Sequence, residues 1–237
     1  MGAAVTAAGG TISILVGAVL LRLTLTDTHL RYVRSELGPF LLVAGLAVVA
    51  LGFATLVRAL RATPTDVHGD GDLEHHHEHG IGVGWLLLAP IAALLLVAPP
   101  TLGAFGVGRA ANVKIRAGQG VFKPLDPTTG PVSMTLLEYG QRSFERNGAS
   151  FRGAPVELTG FVAETDAGGF QLARYQIACC AADASPIVVK VEGTAGDRPV
   201  VDGWVSVTGN FRPPEGDLPR VSATSVAEIP APRDPYE

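Results

Sequence analysis

The sequence predicts a membrane-embedded helical part at the N-terminus, followed by a small all-β domain at the C-terminus. Charged residues make up 17% of the chain, against about 25% in a typical soluble domain, and the mean hydropathy is +0.31. The first hundred residues contain long blocks without charge, whereas charges return after Lys114. Short runs of alternating apolar and polar residues then follow, separated by glycine and proline. These features exclude an ordinary cytosolic enzyme and a disordered chain.

Three uncharged runs, at residues 1–21, 37–57 and 80–108, predict three transmembrane helices. Each run reaches the ~20 residues that a helix needs to cross a bilayer. The first run lacks the basic start of a signal peptide, which favours an uncleaved helix. We therefore expect residues 1–104 to form a multi-pass unit in the lipid bilayer of the cell membrane. Small residues in the first two runs predict close helix packing; they are Gly9, Gly10, Gly17, Gly45, Ala50 and Gly52.

The distribution of lysine and arginine predicts how the helices are oriented. Basic residues in short loops favour the cytoplasmic side of a membrane. The predicted spans place six such residues on the side of the C-terminal domain and two on the other side, so we expect that domain in the cytoplasm. The six are Arg22, Arg31, Arg34, Arg109, Lys114 and Arg116, and the two are Arg58 and Arg61.

The segment at residues 66–79, between the second and third runs, is rich in histidine and acidic residues. It holds five of the six histidines of the chain. Imidazole and carboxylate groups bind zinc and other transition metals, and glycines make the segment suited to weak capture. A solvated spacer is the alternative interpretation. The candidate ligands are His68, Asp70, Asp72, Glu74, His75, His76, His77, Glu78 and His79.

Residues 105–117 are expected to form a linker, and residues 118–237 a soluble β domain with one amphipathic helix at 135–146. Turn signals separate the candidate strands, which predicts a small five-stranded barrel of the oligonucleotide/oligosaccharide-binding type, or alternatively a small β-sandwich. The domain has ten basic and fifteen acidic residues and few aromatic ones, so we expect no nucleic acid partner. The predicted strands are 155–163, 170–180, 187–191, 204–211 and 221–229.

Cys179 and Cys180 are the two cysteines of the chain, and Asp183 follows closely. Adjacent residues of a strand face opposite sides, so we expect one thiol to enter the barrel and the other to face out or to line a loop. A disulfide between direct neighbours needs a distorted peptide, and ordinary pairing is not expected. The pair, with Asp183, is either a site for a soft metal or for redox chemistry, or a pair of small buried residues.

The order of these parts and one motif resemble a bacterial family, the YcgQ-like permease subunits. The motif is Arg174-x-x-Ile177-x-Cys179-Cys180-x-Ala182-Asp183-Ala184, and the later segment from Trp204 to Gly209 also fits. The resemblance implies a membrane permease as the partner and no known enzymatic activity. It points first to Cys180 and Asp183 as functional residues.

We therefore expect a membrane-anchored accessory subunit of a permease, linked to transition-metal handling or transport. A non-catalytic scaffold for the permease and a membrane-bound thiol redox sensor are the alternatives. An enzyme is not expected, because the sequence has no nucleophile–base pair, no phosphate-binding loop and no metalloprotease helix motif.

Overall fold

The computed structural model describes residues 2–61, 102–109, 115, 122–128, 130–166, 168–193 and 199–237. The chain divides into two compact units. One consists of residues 1–29 and 35–99, and the other of residues 30–34 and 100–237. Residues 80–101 of the predicted third transmembrane run lie outside the described residues.

The first unit contains two long helices, α1 (Gly2–Leu25) and α2 (Gly38–Arg61). They confirm the first two predicted helices, each extended by four residues at its C-terminal end relative to the uncharged runs. Arg22 lies in the last turn of α1, and Arg58 and Arg61 in the last turn of α2, where positive charge interacts favourably with the helix dipole. By length and composition, both are able to cross a membrane.

Glycines bring the two helix backbones together. A Cβ atom placed on Gly10 would lie 2.9 Å from the carbonyl oxygen of Gly52, and one placed on Gly17 would lie 2.9 Å from that of Gly45. The pairing is antiparallel, and on each helix the two glycines are seven residues apart, so they lie on one face. This confirms the predicted close packing for four of the six small residues. Gly9 faces open space, so it takes no part in the contact.

The second unit is built on a closed five-stranded barrel, which confirms the predicted fold class. The strands pair in the order β2–β3–β4–β6–β5, and β5 pairs with β2 to close the barrel. All neighbours are antiparallel except β4 and β6, and a short additional strand, β1, pairs in parallel with β2. The strands are β1 (Val132–Ser133), β2 (Val156–Asp166), β3 (Gly169–Gln176), β4 (Ser185–Glu192), β5 (Trp204–Glu215) and β6 (Leu218–Glu228).

Alternation along the strands produces two hydrophobic clusters. One face of each strand fills the barrel with residues such as Leu158, Leu172 and Val189. The opposite face carries a second cluster around Phe161, Tyr175 and Trp204. A short helix, α3 (Ala104–Val107), and the tail after β6 cover this second cluster. The outer surface of the barrel near the end of β3 is therefore ordered by elements far away in the sequence.

Helix α4 (Leu136–Phe144) packs its Leu136 and Tyr139 into the barrel core. The side chain of Thr135 accepts the backbone N–H of Glu138 and caps its start. The carboxylate of Glu237 accepts the N–H groups of Leu136 and Leu137. The helix is shorter than the predicted 135–146, because Glu145 is extended, with ψ of 112°, and Arg146 and Asn147 are left-handed, with φ of 47° and 52°.

Candidate metal centre

The cysteine pair lies in the loop that joins β3 to β4. Strand β3 ends at Gln176, whose partner is Ser185 at the start of β4. The prediction that this strand extends to Cys180 is therefore wrong. The chain leaves the ladder because the Asp183 side chain, just before β4, accepts backbone N–H groups of residues 178–180 and folds the segment into a tight loop.

The two thiols lie side by side. Their Sγ atoms are 3.6 Å apart, Cys179 is exposed and Cys180 is partly buried. The expectation that one thiol enters the barrel is thus wrong, because both cysteines lie in the loop after β3. The period of two holds only inside a strand, and both cysteines come after the strand has ended. The interpretation of the pair as small buried core residues is also wrong, since neither side chain is buried.

Asp183 holds this loop with both of its carboxylate oxygens. Oδ1 accepts the N–H of Ala178 at 2.9 Å, and Oδ2 accepts the N–H groups of Cys179 and Cys180 at 2.8 and 3.4 Å. Hydrogen bonding from the Cys179 thiol, followed by these backbone donors, lowers the pKa of Asp183 to about 2. The side chain is therefore ionised at neutral pH, and Oδ1, which accepts a single backbone N–H, has a second lone pair that a metal could use.

The hydrogen bond between the Cys179 thiol and the Asp183 carboxylate shifts the pKa of Cys179 upward. This bond, with a smaller effect of Cys180, raises the pKa of the Cys179 thiol to about 11. A redox-active cysteine normally has a lowered pKa, because the thiolate is the reactive species. The raised pKa of the Cys179 thiol therefore does not by itself favour the redox-sensor alternative. A metal ion would have to displace the thiol proton.

The geometry of the three side chains is compatible with a metal ion. One ligand atom from each of Cys179, Cys180 and Asp183 can be chosen so that all lie within 4.8 Å of one another. With zinc–sulfur bonds of about 2.3 Å, the observed 3.6 Å between the sulfurs corresponds to an S–Zn–S angle of about 103°, close to tetrahedral. A linear two-thiolate site with the same bond length would need sulfurs ~4.6 Å apart. Three ligands leave a tetrahedral ion one open position.

A segment that no sequence motif predicts also borders the loop. Val33, in the connection between α1 and α2, forms an antiparallel β-bridge with Cys180. Residues 30–34 belong to the same compact unit as the barrel. The hydroxyl of Tyr236 donates to the Arg31 carbonyl at 2.7 Å, which ties this segment to the tail as well. No local motif indicates the contact, because its two sides are far apart in the sequence.

The structure therefore brings together three of the twelve predicted ligands, Cys179, Cys180 and Asp183. The other nine, from His68 to His79, lie outside the described residues. Within the described part of the chain, the cysteine loop is the one group of three or more histidine, cysteine or acidic residues with ligand atoms this close together.

Comparison with protein families gives a match over the C-terminal part of the chain. Residues 139–237 match the family model described as the DUF1980 C-terminal domain. The matched region includes most of α4, all five barrel strands and the cysteine loop. No curated protein and no solved structure matches the chain.

Proposed function

We propose that the chain is a membrane-anchored accessory subunit of a bacterial permease that binds a transition metal, in the first place zinc, at Cys179 and Cys180. The observation that carries this proposal is the juxtaposition of two thiols and an ionised carboxylate on an exposed loop. Cysteine thiolates and carboxylates are ordinary zinc ligands.

The exposure of the site favours transfer of the metal over a purely structural role. Structural zinc sites are closed by four protein ligands, whereas sites that exchange ligands keep a position open. Here Cys179 and Asp183 are exposed, and the three residues leave one position free. A donor from the permease, or from a small carrier molecule, would complete the coordination. The histidine-rich segment at 66–79 would raise the local metal concentration.

The assignment to a permease rests on the arrangement of the chain and on its family match. Two apolar helices precede the barrel, and the DUF1980 match is consistent with a permease-associated family. The helices α1 and α2 carry no ionisable residue between positions 7 and 21 or between 37 and 57. Ion pathways in membranes are normally lined by such residues, so the pathway would belong to the partner.

The contact between residues 30–34 and the cysteine loop supports a definite sidedness. We place the connection between α1 and α2 on the same side of the membrane as the barrel, since residues 30–34 belong to the compact unit of the barrel. That side is the one with six basic residues in the sequence count, which favours the cytoplasm. An alkaline-phosphatase fusion at the C-terminus should be inactive and a fluorescent-protein fusion should be bright, and the reverse pattern would place the barrel outside.

The deciding experiment is metal analysis of the purified full-length protein in detergent after loading with zinc and removal of weakly bound ions. We expect about one tightly bound zinc per chain, retained when residues 66–79 are deleted and lost in Cys179→Ser and Cys180→Ser variants. The matched control is Ala182→Ser. Residue 182 is exposed on the same loop, and the substitution removes no candidate ligand atom. Equal zinc content in the wild type and both cysteine variants would refute the site, and would leave a scaffold role for the barrel.

Association with the permease needs a separate measurement. Co-purification of the chain with the permease should survive both cysteine substitutions, because the proposal assigns the thiols to the metal and not to subunit contact. Cells with the Cys180→Ser protein should nevertheless lose the normal growth response to zinc excess or starvation. A normal response with an unchanged thermal melt would contradict the metal role.

A further inference from the structure

The peptide bond between Cys179 and Cys180 is held from outside the loop as well as from within it. The N–H of Arg34 donates to the carbonyl oxygen of Cys179 at 3.1 Å, and the N–H of Ala181 donates to that of Tyr32 at 2.7 Å. These two hydrogen bonds flank the Val33–Cys180 bridge. This is the pattern of a non-hydrogen-bonded antiparallel pair, in which the two opposing side chains lie close together on one face.

This peptide is the one that a disulfide between neighbouring cysteines must distort. A trans peptide separates its Cα atoms by about 3.8 Å, whereas disulfide-bonded cysteines normally have Cα atoms 4.4–6.8 Å apart. Closing the eight-membered ring therefore requires the Cys179–Cys180 peptide to rotate or bend. Such a movement would pull the Cys179 carbonyl away from the N–H of Arg34.

We propose that residues 32–34, in the connection between α1 and α2, form a positioning element of the dithiol site. Their pairing with the cysteine loop keeps the two thiols side by side as a chelating pair and opposes their closure into a disulfide. The inference deepens the proposed metal site, since it concerns the same thiols. The rate of disulfide formation can be measured without a metal. A failure of this proposal can therefore be distinguished from a failure of the metal site.

The opposed reaction can be driven with a diazene oxidant such as diamide. Cys179 and Cys180 each lose a thiol proton, their sulfurs form one S–S bond, and the two electrons and two protons reduce the N=N bond to a hydrazine. The product is 2 Da lighter than the dithiol form and has lost two titratable thiols. Mass spectrometry of the peptide that contains both cysteines follows this step directly.

Ala181→Pro is the sharpest variant for the test. It removes the N–H that donates to Tyr32, and it does so at the first position of the short 3-10 turn of residues 181–183, where proline is favoured. Cys180, the preceding residue, has φ −154° and ψ 170°, the extended conformation that a residue before proline prefers. The loop itself is therefore expected to keep its shape. Ala181→Ser is the matched control, because it retains the N–H.

Arg34→Pro tests the other hydrogen bond, with Arg34→Ala as its control. In the full-length protein in detergent, we expect each proline variant to form the disulfide about fivefold faster than its control, which is the effect of losing one hydrogen bond. Zinc affinity should fall by a similar factor. Equal oxidation rates and equal zinc affinities within both pairs would overturn the proposal.

A measurement on the unmodified chain avoids any effect of the substitutions on folding. The amide protons of Arg34 and Ala181 should be protected from hydrogen exchange in the reduced protein, and oxidation by diamide should remove the protection. Exchange at the rate of an unstructured peptide in the reduced protein would contradict the pairing, whatever the behaviour of the variants.

Discussion

The helical hairpin and the barrel use apolar residues in opposite ways. In the hairpin the backbones of α1 and α2 meet at glycines, and large side chains such as Phe40, Leu51 and Phe53 point outward, each more than 60% exposed. In the barrel the large side chains point inward, and Leu158, Leu172 and Phe151 are almost completely buried. An outward apolar surface is stable in lipid and unstable in water. The exposed apolar side chains of α1 and α2 fit the two candidate membrane spans, and the buried ones of the barrel fit an ordinary hydrophobic core.

The same contrast explains where the candidate chemistry lies. Neither the helix contact nor the barrel core contains a pair of metal-ligating side chains among the described residues. The thiols instead lie on a loop outside both cores, where two independent sets of backbone hydrogen bonds fix it. Substitutions in the two cores should therefore change stability, and substitutions in the loop should change chemistry.

The largest effect is expected from Phe151→Ala in the barrel. This ring is 1% exposed and packs against Tyr139 and Phe211, with ring centroids 5.1 and 4.8 Å away. Its truncation should lower the free energy of unfolding of the barrel by about 3–5 kcal/mol. Denaturant unfolding followed by circular dichroism should show early loss of the strand signal while the helix signal persists. Val200→Ala, at an exposed position, is the control, and simultaneous loss of both signals would contradict independent units.

A smaller effect is expected from Gly10→Ala in the hairpin. The added methyl would lie 2.9 Å from the Gly52 carbonyl oxygen and 3.0 Å from the Leu56 nitrogen, both backbone atoms that cannot rotate away. The helices must separate, at a cost of about 1–3 kcal/mol. Gly9→Ala should instead be neutral or slightly stabilising, because its methyl meets nothing within 4 Å and alanine favours a helix. Helix loss during titration with denaturing detergent measures both, and equal behaviour of the two variants would exclude the glycine contact.

Thr135→Ala should have a still smaller effect, about 1 kcal/mol on unfolding of the barrel. It removes the side chain that accepts the N–H of Glu138 at the start of α4. Thr135→Ser keeps the hydroxyl acceptor, so this variant should unfold at the same denaturant concentration as the wild type. A loss of stability as large for serine as for alanine would show that the methyl group of Thr135, and not the cap, is important.

The fold was largely predictable because it depends on patterns that are local in the sequence. Uncharged runs marked α1 and α2, and the alternation around Leu158 and Val207 marked the two strands that close the barrel on each other. Element ends were less predictable. The sequence contains no signal for the extended Glu145 and the left-handed Arg146 and Asn147, and α4 ends two residues earlier than predicted.

The candidate site was predictable in composition and not in geometry. Two cysteines and an aspartate within five residues were sufficient to indicate a metal or redox site. Their orientation depended on where β3 ends, and that in turn depends on hydrogen bonds from three backbone groups to one carboxylate. The pairing with Val33 is a contact between distant parts of the chain, which no reading of periodicity or spacing reveals.

The last prediction concerns Asp183. Its substitution should change the reactivity of the thiols, and should change the thermal stability of the barrel least of all the substitutions considered. Because the carboxylate hydrogen-bonds the Cys179 thiol and is itself ionised, it stabilises the protonated form and holds the pKa of Cys179 at about 11. In Asp183→Ala the pKa should fall towards the ordinary thiol value near 9, so more thiolate is present at pH 8.5. Allowing for solvent screening, alkylation of Cys179 by iodoacetamide should become about tenfold faster.

Asp183→Asn should also speed up this reaction, although asparagine often replaces aspartate as a cap. Both carboxylate oxygens accept backbone N–H groups here, and an amide would direct its own NH₂ group at one of them.

The lowered pKa of Asp183 gives the pH window. The ionised carboxylate stabilises the folded loop fully above about pH 4, and this stabilisation is lost as the pH falls through about 2. Measurements near pH 8.5 are therefore made with the hydrogen bonds of Asp183 intact. Glu228→Gln, which removes an exposed charge elsewhere on the barrel, should leave the rate unchanged. Rates measured in a Cys180→Ser background assign the reaction to Cys179, and an unchanged rate in both Asp183 variants would show that the carboxylate does not control this thiol.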